Sequence, residues 1–278
     1  MDHSSIKVRN IDFQFTHDVG YYWNPRNEQW GNLVNFVTMI APAFERYFIK
    51  ATRQAMPLIK NARVKHEADL FCLQEAQHSR QHLAHLGVLI KQYPGLEETH
   101  KQVMASYDAI FKNQTLEFHL SYAATIELCF GPIARFVIEH RDVLFKGGDQ
   151  RIASFMLWHF IEEFEHRNCA IDIYNDVVGS HWYRLKTAPA VVRHILAVEK
   201  ITRDGFNRHV PASALGTAPA DVDAMFKDIA LQSQLGLLYD LLCTLLPYHK
   251  PDNIKQPVWV TQWFADEAAG KDMTLYYS

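Results

Sequence analysis

Two segments rich in histidine and glutamate constrain this 278-residue chain more than any other feature of its sequence. Each contains one glutamate and two histidines at spacings of three or four residues: Glu75, His78 and His82 in the first, and His159, Glu163 and His166 in the second. At about 100 degrees of rotation per residue, each triplet falls within about 60 degrees of one helix face. Both segments therefore predict helices that direct three potential metal ligands toward one point.

Two further glutamates lie in apolar surroundings that predict burial. Glu45 follows the run Ile-Ala-Pro-Ala-Phe, and Glu127 lies within Ala-Ala-Thr-Ile-Glu-Leu-Cys-Phe. A buried carboxylate without a partner is costly, so such residues normally pair with a cation or bind a metal. A buried ion pair with an arginine, such as Arg46 or Arg135, is the alternative to metal binding for these two glutamates.

The order of these units along the chain is Glu, Glu-x-x-His, Glu, Glu-x-x-His, with one unit in each of four predicted long helices. This order resembles the ligand plan of the ferritin-like di-iron and di-manganese carboxylate proteins. The resemblance implies an all-α fold with a ferritin-like four-helix bundle core and additional C-terminal helices. It also implies a di-metal site, whose candidate ligands are Glu45, Glu75, His78, Glu127, His159, Glu163 and His166.

Alternatives remain open for three side chains near this site. His82 lies one turn beyond His78 and fits a ligand and a hydrogen-bond donor to a ligand equally well. Glu162 lies about 60 degrees from His159 around the helix, so it competes with Glu163 for a place in the site. The Glu-x-x-His spacing favours Glu163. His159 itself could instead be a core histidine or a support for another ligand.

The last unit, His-x-x-x-Glu-x-x-His, is similar to that of p-aminobenzoate N-oxygenase and its relatives, in which a third histidine adds a ligand to one iron. Most of the chain also resembles a bacterial family of predicted metal-dependent hydrolases, notably in Trp-His-x-x-Glu-Glu-x-Glu-His at residues 158–166. These resemblances imply two iron ions, with manganese or zinc as alternatives. They favour an enzyme that uses dioxygen, and an electron donor, to oxidise a small organic substrate. Di-metal hydrolysis and ferritin-like iron oxidation or binding are the alternatives.

Apolar periodicity and turn residues predict where the helices lie. We expect helices at about 32–56, 61–92, 97–112, 115–140, 149–178, 188–209 and 220–246. Pro42 and Pro132 predict kinks within two of them. We expect a single domain with a metal-binding core at 31–178, and with an N-terminal arm and a C-terminal tail that pack across it.

Composition limits the partners and the location of the protein. With 28 basic and 31 acidic residues, the chain has no field that would attract nucleic acid. The most apolar late stretch, at 235–246, is too short to span a membrane. Four scattered cysteines without a CxxC pair, and no visible signal peptide, favour a cytoplasmic protein. The resemblance implies a homodimer.

Overall fold

The structure is a computed structural model that describes residues 6–16, 18–212 and 222–277. Within these ranges it contains helices and no strand, which confirms the all-α prediction. The helices are α1 (Glu28–Ala55), α2 (Ala62–Gln92), α3 (Leu96–Asn113), α4 (Leu116–Glu139), α5 (Arg141–Leu144), α6 (Gln150–His166), α7 (Cys169–Val177), α8 (His181–His209), α9 (Val222–Met225), α10 (Leu231–Cys243) and α11 (Val258–Ala268), with a short 3-10 turn at Pro251–Asn253.

Polar side chains cap the long helices that carry the candidate ligands. Asn27 accepts a backbone hydrogen bond at the start of α1, as Asn61 does for α2 and Thr115 for α4. Each cap satisfies a backbone N–H that the first helical turn leaves free. Helices α1 and α4 continue through Pro42 and Pro132, so neither proline ends its helix. Helix α1 also begins four residues earlier than predicted.

The helix predicted at 149–178 is wrong as a single helix, because it is interrupted after His166. The guanidinium of Arg167 donates a hydrogen bond to the carbonyl of Phe164. In an unbroken helix this carbonyl would accept from the N–H of Asn168. The same guanidinium donates to the carbonyl of Pro251, 3.2 Å away, so a contact with the C-terminal part of the chain accompanies the break.

Two later helix boundaries also differ from prediction. The helix expected at 188–209 begins at His181, because Ser180 caps it and the chain stays helical through Pro189. The helix expected at 220–246 is divided into α9 and α10. Residues 213–221, which include most of the Pro/Ala/Gly/Ser stretch between these two helices, lie outside the described residues.

The long helices pack around one another so that the candidate ligands face inward. Helix α1 lies along α2, while α4 contacts α1, α6, α7 and α8. The segment before α1 lies against α6, where the ring of Phe13 is 5.6 Å from Phe155 and 5.4 Å from Trp158. At the other end of the chain, the backbone N–H of Tyr277 donates to Ser154 of the same helix. Both termini thus cover α6.

Among the described residues, one helix, α4, is long and apolar enough to cross a membrane by length and composition alone. Its most apolar window is 67% buried inside the protein. The helix also carries Glu127 on its buried side. Packing in the core therefore accounts for the apolar composition of α4.

Candidate metal centre

The structure brings all seven candidate ligands together at the centre of four helices. They form two adjoining groups. Each residue of a group offers one ligand atom, and these atoms all lie within 4.8 Å of one another. The first group is Glu45, His78 and His159, and the second is Glu75, Glu127, Glu163 and His166. Helix α1 contributes one of these side chains, α2 two, α4 one and α6 three. None of the seven residues is more than 5% exposed.

Two carboxylates lie between the groups. Oε1 of Glu163 is 2.8 Å from Nε2 of His159, and its Oε2 is 3.0 Å from Nε2 of His166. Oε1 of Glu75 is 3.7 Å from Nδ1 of His78 and 3.3 Å from Nε2 of His166. Glu75 and Glu163 therefore face both groups, which is the placement that bridging ligands between two cations require.

Six carboxylate oxygens in this centre lack ordinary hydrogen bonds. No described residue donates a hydrogen bond of normal geometry to either oxygen of Glu45, Glu75 or Glu127. Leaving a buried polar atom unsatisfied costs about 1–3 kcal/mol, and more for a charged group. Two divalent cations would satisfy these oxygens and balance the charge of four glutamates. The donor set thus fits a di-metal centre.

The alternative of a buried ion pair with an arginine is wrong for Glu45 and Glu127. Arg46 pairs with Asp108 at 3.0 Å on the surface between α1 and α3. Arg135 pairs instead with Asp240 of α10.

Burial and the neighbouring charges shift the pKa values of the carboxylates in this centre. Burial raises the pKa of Glu45 well above its usual value, and the charge of Glu75 raises it further. Burial and the charge of Glu163 do the same to the pKa of Glu127. For Glu163 itself, burial acts upward, but His166 and His159 outweigh it and lower the pKa. Glu45 and Glu127 therefore hold protons that a bound cation would displace.

His78 is held from outside the centre by a carboxylate. Its Nε2 lies 3.1 Å from Oε2 of Glu162, whose other oxygen accepts a hydrogen bond of 3.0 Å from Arg9. The imidazole therefore donates its Nε2 proton to Glu162, and Nδ1 is the nitrogen that faces the centre. Glu162 lies outside both groups and has the position of a residue that orients a metal ligand.

His166 is held in a similar way through an amide. Its Nδ1 lies 3.0 Å from Oε1 of Gln74, and the amide nitrogen of Gln74 donates to Glu165 at 2.8 Å. The guanidinium of Arg9 donates to both oxygens of Glu165 at 2.8 Å. Arg9 therefore supports the outer nitrogens of His78 and His166, through a carboxylate in each case.

Sequence reasoning missed Arg9, Gln74 and Glu165. Gln74 and Glu165 each precede a candidate ligand by one residue, and this adjacency is the one signal that could have pointed to them. Arg9 lies in the N-terminal segment, far from every ligand in sequence, and is only 6% exposed.

His82 supports His159 through a chain of neutral side chains. Nε2 of His82 lies 2.9 Å from Nδ1 of His159, and its Nδ1 lies 3.2 Å from the hydroxyl of Thr38. That hydroxyl lies 3.0 Å from Nδ1 of His85. Burial lowers the pKa of all three histidines, that of His85 to about 4, so each ring is neutral.

This chain of contacts determines where the protons lie when Nε2 of His159 binds a cation. Nδ1 of His159 then carries its proton and donates to His82, which in turn donates to Thr38. The hydroxyl of Thr38 is left to donate to His85. Like Glu162, His82 lies outside both groups of candidate ligands. Its position favours the supporting role over the ligand role.

A surface cavity of about 420 Å³ lies along the contact between α1 and α2, on the helices that carry Glu45 and Glu75. Its lining residues are Arg46, Ile49, Lys50, Ala76, Ser79, Arg80 and Leu83. Several of them are sequence neighbours of the candidate ligands. Three of the lining side chains are apolar, three are cationic and one is a serine.

The fold and the centre together define an all-α protein with a buried cluster of glutamates and histidines suited to metal ions. The chain belongs to the family of predicted metal-dependent hydrolases, whose sequence model matches residues 7–252. The matched segment includes all seven candidate ligands and Arg9. Membership confirms the family resemblance inferred from the sequence. Comparison with curated proteins and with solved structures gave no match.

Proposed function

We propose that the protein is a non-haem di-iron oxygenase or oxidase that uses dioxygen to oxidise a small organic substrate. The observation that supports this most is the combination of four carboxylates with three histidines, in which Glu75 and Glu163 face both groups. Carboxylates suit hard cations and imidazole suits iron, so this mixed set favours iron over magnesium or calcium. Two ferrous ions bound here would supply electrons for the reduction of dioxygen.

The residues of the centre would bind the ions, direct the imidazole lone pairs and exclude bulk water. Glu75 and Glu163 would bridge, while Glu45 and Glu127 would each bind one ion. The first group has one carboxylate and two histidines, whereas the second has three carboxylates and one histidine. Because Glu75 and Glu163 would be shared, the two positions would differ in the number of neutral histidines, which is two in the first group and one in the second.

The cavity between α1 and α2 supports a route for a small organic molecule. Its apolar lining includes Ile49 and Leu83, and Ser79 lies next to His78 in sequence. Two lining residues, Arg46 and Ala76, each follow a candidate ligand in sequence, Glu45 and Glu75, which supports a route from this cavity to the centre.

Metal-dependent hydrolysis is the second candidate, and the description of the family favours it. In that reaction two cations lower the pKa of a bound water, which then attacks an ester, amide or phosphate. Hydrolysis requires no change of oxidation state. It would therefore proceed with zinc and without dioxygen, whereas oxygenase chemistry would not.

The deciding experiment compares the two metals on the same chain. The metal-free protein is loaded anaerobically with ferrous iron or with zinc, desalted and analysed for metal content by mass spectrometry. Oxygen consumption is then followed with an electrode, and hydrolysis with a panel of chromogenic esters and phosphates. Two irons per chain with stoichiometric oxygen uptake would support the proposal. Hydrolysis by the zinc form, without oxygen uptake by the iron form, would contradict it.

Two matched variants on α4 test whether the bound metal and the oxygen uptake belong to the candidate centre rather than to a contaminant. Glu127→Ala removes a candidate ligand, while Glu117→Ala removes an exposed carboxylate of the same helix. We expect Glu127→Ala to lose metal and oxygen uptake together and Glu117→Ala to retain both. Equal metal content in the two variants would show that the ions bind elsewhere.

A further inference from the structure

Helix α10 presents an apolar face to solvent that the rest of the described chain does not cover. None of its 13 residues is buried. The helix is held to the protein along its other side, where Asp240 pairs with Arg135 of α4 and Leu237 packs against the core. A helix that is so apolar and so exposed marks an interaction surface in a folded protein.

The exposed leucines of α10 follow the spacing of a coiled-coil seam. They are Leu231, Leu235, Leu238 and Leu242, and Leu245 continues the pattern in the turn that follows. The intervals are four, three, four and three residues, which is the a/d repeat of helices that pack side by side. We call these five residues the leucine stripe. Tyr239 and Leu246 widen the stripe on one side, with exposures of 67% and 44%.

The exposed area is large enough for a stable association. From their exposures, the five leucines with Tyr239, Leu246 and Tyr248 present roughly 900 Å² of accessible surface, close to the about 800 Å² that each partner buries in a stable interface.

The charges around the stripe indicate what covers it. Helices that lie on membranes carry lysine and arginine on their polar face, and α10 carries neither. Helices that select a different protein use charged residues beside the seam, but the positions flanking the stripe hold Gln232, Gln234, Tyr239, Leu241 and Leu246. An uncharged stripe of alternating spacing is complementary to another copy of itself. We propose that the leucine stripe is a dimerisation surface, at which the stripes of two copies of this chain pack across a two-fold axis.

The test measures association of the full, metal-loaded chain by sedimentation over a wide range of concentrations. The double variant Leu235→Glu/Leu242→Glu places four carboxylates in the dimer interface. We expect it to raise the dimer dissociation constant at least about 100-fold. The control Leu196→Glu changes an exposed leucine of α8, at 60% exposure, and should leave dimerisation unchanged. Circular dichroism and metal content establish that both variants are folded.

Cross-linking locates the interface independently of affinity. Leu238 is at the centre of the stripe, so the two copies of Leu238→Cys lie close to the two-fold axis when the stripes pack centre to centre. Oxidation with diamide joins the two thiols in a disulfide and reduces the diamide to the hydrazine. We expect a covalent dimer from Leu238→Cys, and none from Leu196→Cys or from the wild-type chain with its four native cysteines.

Three results would overturn the proposal. The first is a wild-type chain that stays monomeric at every concentration, and the second is a double variant that dimerises as tightly as the wild type. The third is a monomer that cosediments with phosphatidylcholine or phosphatidylglycerol vesicles through the stripe, which would identify a lipid surface as the occupant.

Discussion

Arg9 and Glu162 form a buried ion pair, with 3.0 Å between Nη1 and Oε1, that joins the N-terminal segment to the metal centre. Glu162 in turn accepts a hydrogen bond from the outer nitrogen of His78. The same guanidinium binds Glu165, which reaches His166 through one glutamine. One arginine outside the helices that carry the candidate ligands therefore orients a histidine in each group.

We expect Arg9→Ala to lower metal affinity about 10- to 100-fold, because the partners of metal-binding histidines contribute effects of this size. Arg9→Lys should restore little of it, since one ammonium cannot bind two carboxylates as a guanidinium fork does. Chelator competition measures the affinity. The control is Arg53→Ala, which removes an exposed guanidinium paired with Asp69. Unchanged affinity in Arg9→Ala would show that the buried pair serves folding alone.

His82→Ala should affect one metal position more than the other. His82 contacts His159 of the first group and has no hydrogen bond to the second group among the described contacts. We therefore expect about one ion per chain to survive a moderate chelator challenge that leaves the wild type with about two. His66→Ala, an exposed histidine on the same helix, is the control. Equal loss of both ions would contradict the assignment of His159 to one group.

Metal affinity should rise with pH. The pKa values of Glu45 and Glu127 are raised above the usual 4.5, so the folded, metal-free protein keeps protons that the unfolded chain has lost. Once the pH exceeds 4.5, the ordinary value of the unfolded chain, the stability of the metal-free protein therefore falls with increasing pH. The fall continues until the pH passes the raised pKa values of the folded protein. Bound cations displace these protons and remove the penalty.

The difference in thermal midpoint between metal-loaded and metal-free protein should consequently widen from about pH 5 to about pH 8. Metal addition to a weakly buffered solution should also release protons, which a pH electrode records directly. A midpoint difference that is constant over this range would mean that Glu45 and Glu127 are ionised in the metal-free protein.

The candidate ligands could be predicted from the sequence because local spacing carries the information. The periods of three and four residues in α2 and α6 place each triplet on one face, whatever the rest of the chain does. Burial of Glu127 followed in the same way from the apolar residues around it. These predictions required only the geometry of a single helix.

The remaining features depend on contacts between distant parts of the chain. Arg9 is about 150 residues from the glutamates that it binds, and no spacing rule connects them. The break after His166 accompanies a hydrogen bond from Arg167 to the carbonyl of Pro251. The supporting role of His82 depends on the hydroxyl of Thr38 in α1. Such relationships become visible only when the helices are packed together.

The metal-free protein should become more stable when a candidate ligand is replaced by an apolar side chain of similar size. Neither oxygen of Glu127 accepts a hydrogen bond of normal geometry from a described residue, and the charge of Glu163 opposes its ionisation. Glu127→Met removes this unfavourable burial, so we expect the free energy of unfolding to rise by about 1–3 kcal/mol in chelator.

With metal present the order of stability of the variant and the wild type should reverse, because the variant loses the stabilisation that binding provides. Urea unfolding with and without metal measures both effects, and Glu139→Met, at an exposed site in the last turn of the same helix, should change neither by a comparable amount. A metal-free Glu127→Met that is less stable than the wild type would show that the carboxylate has a structural role without metal.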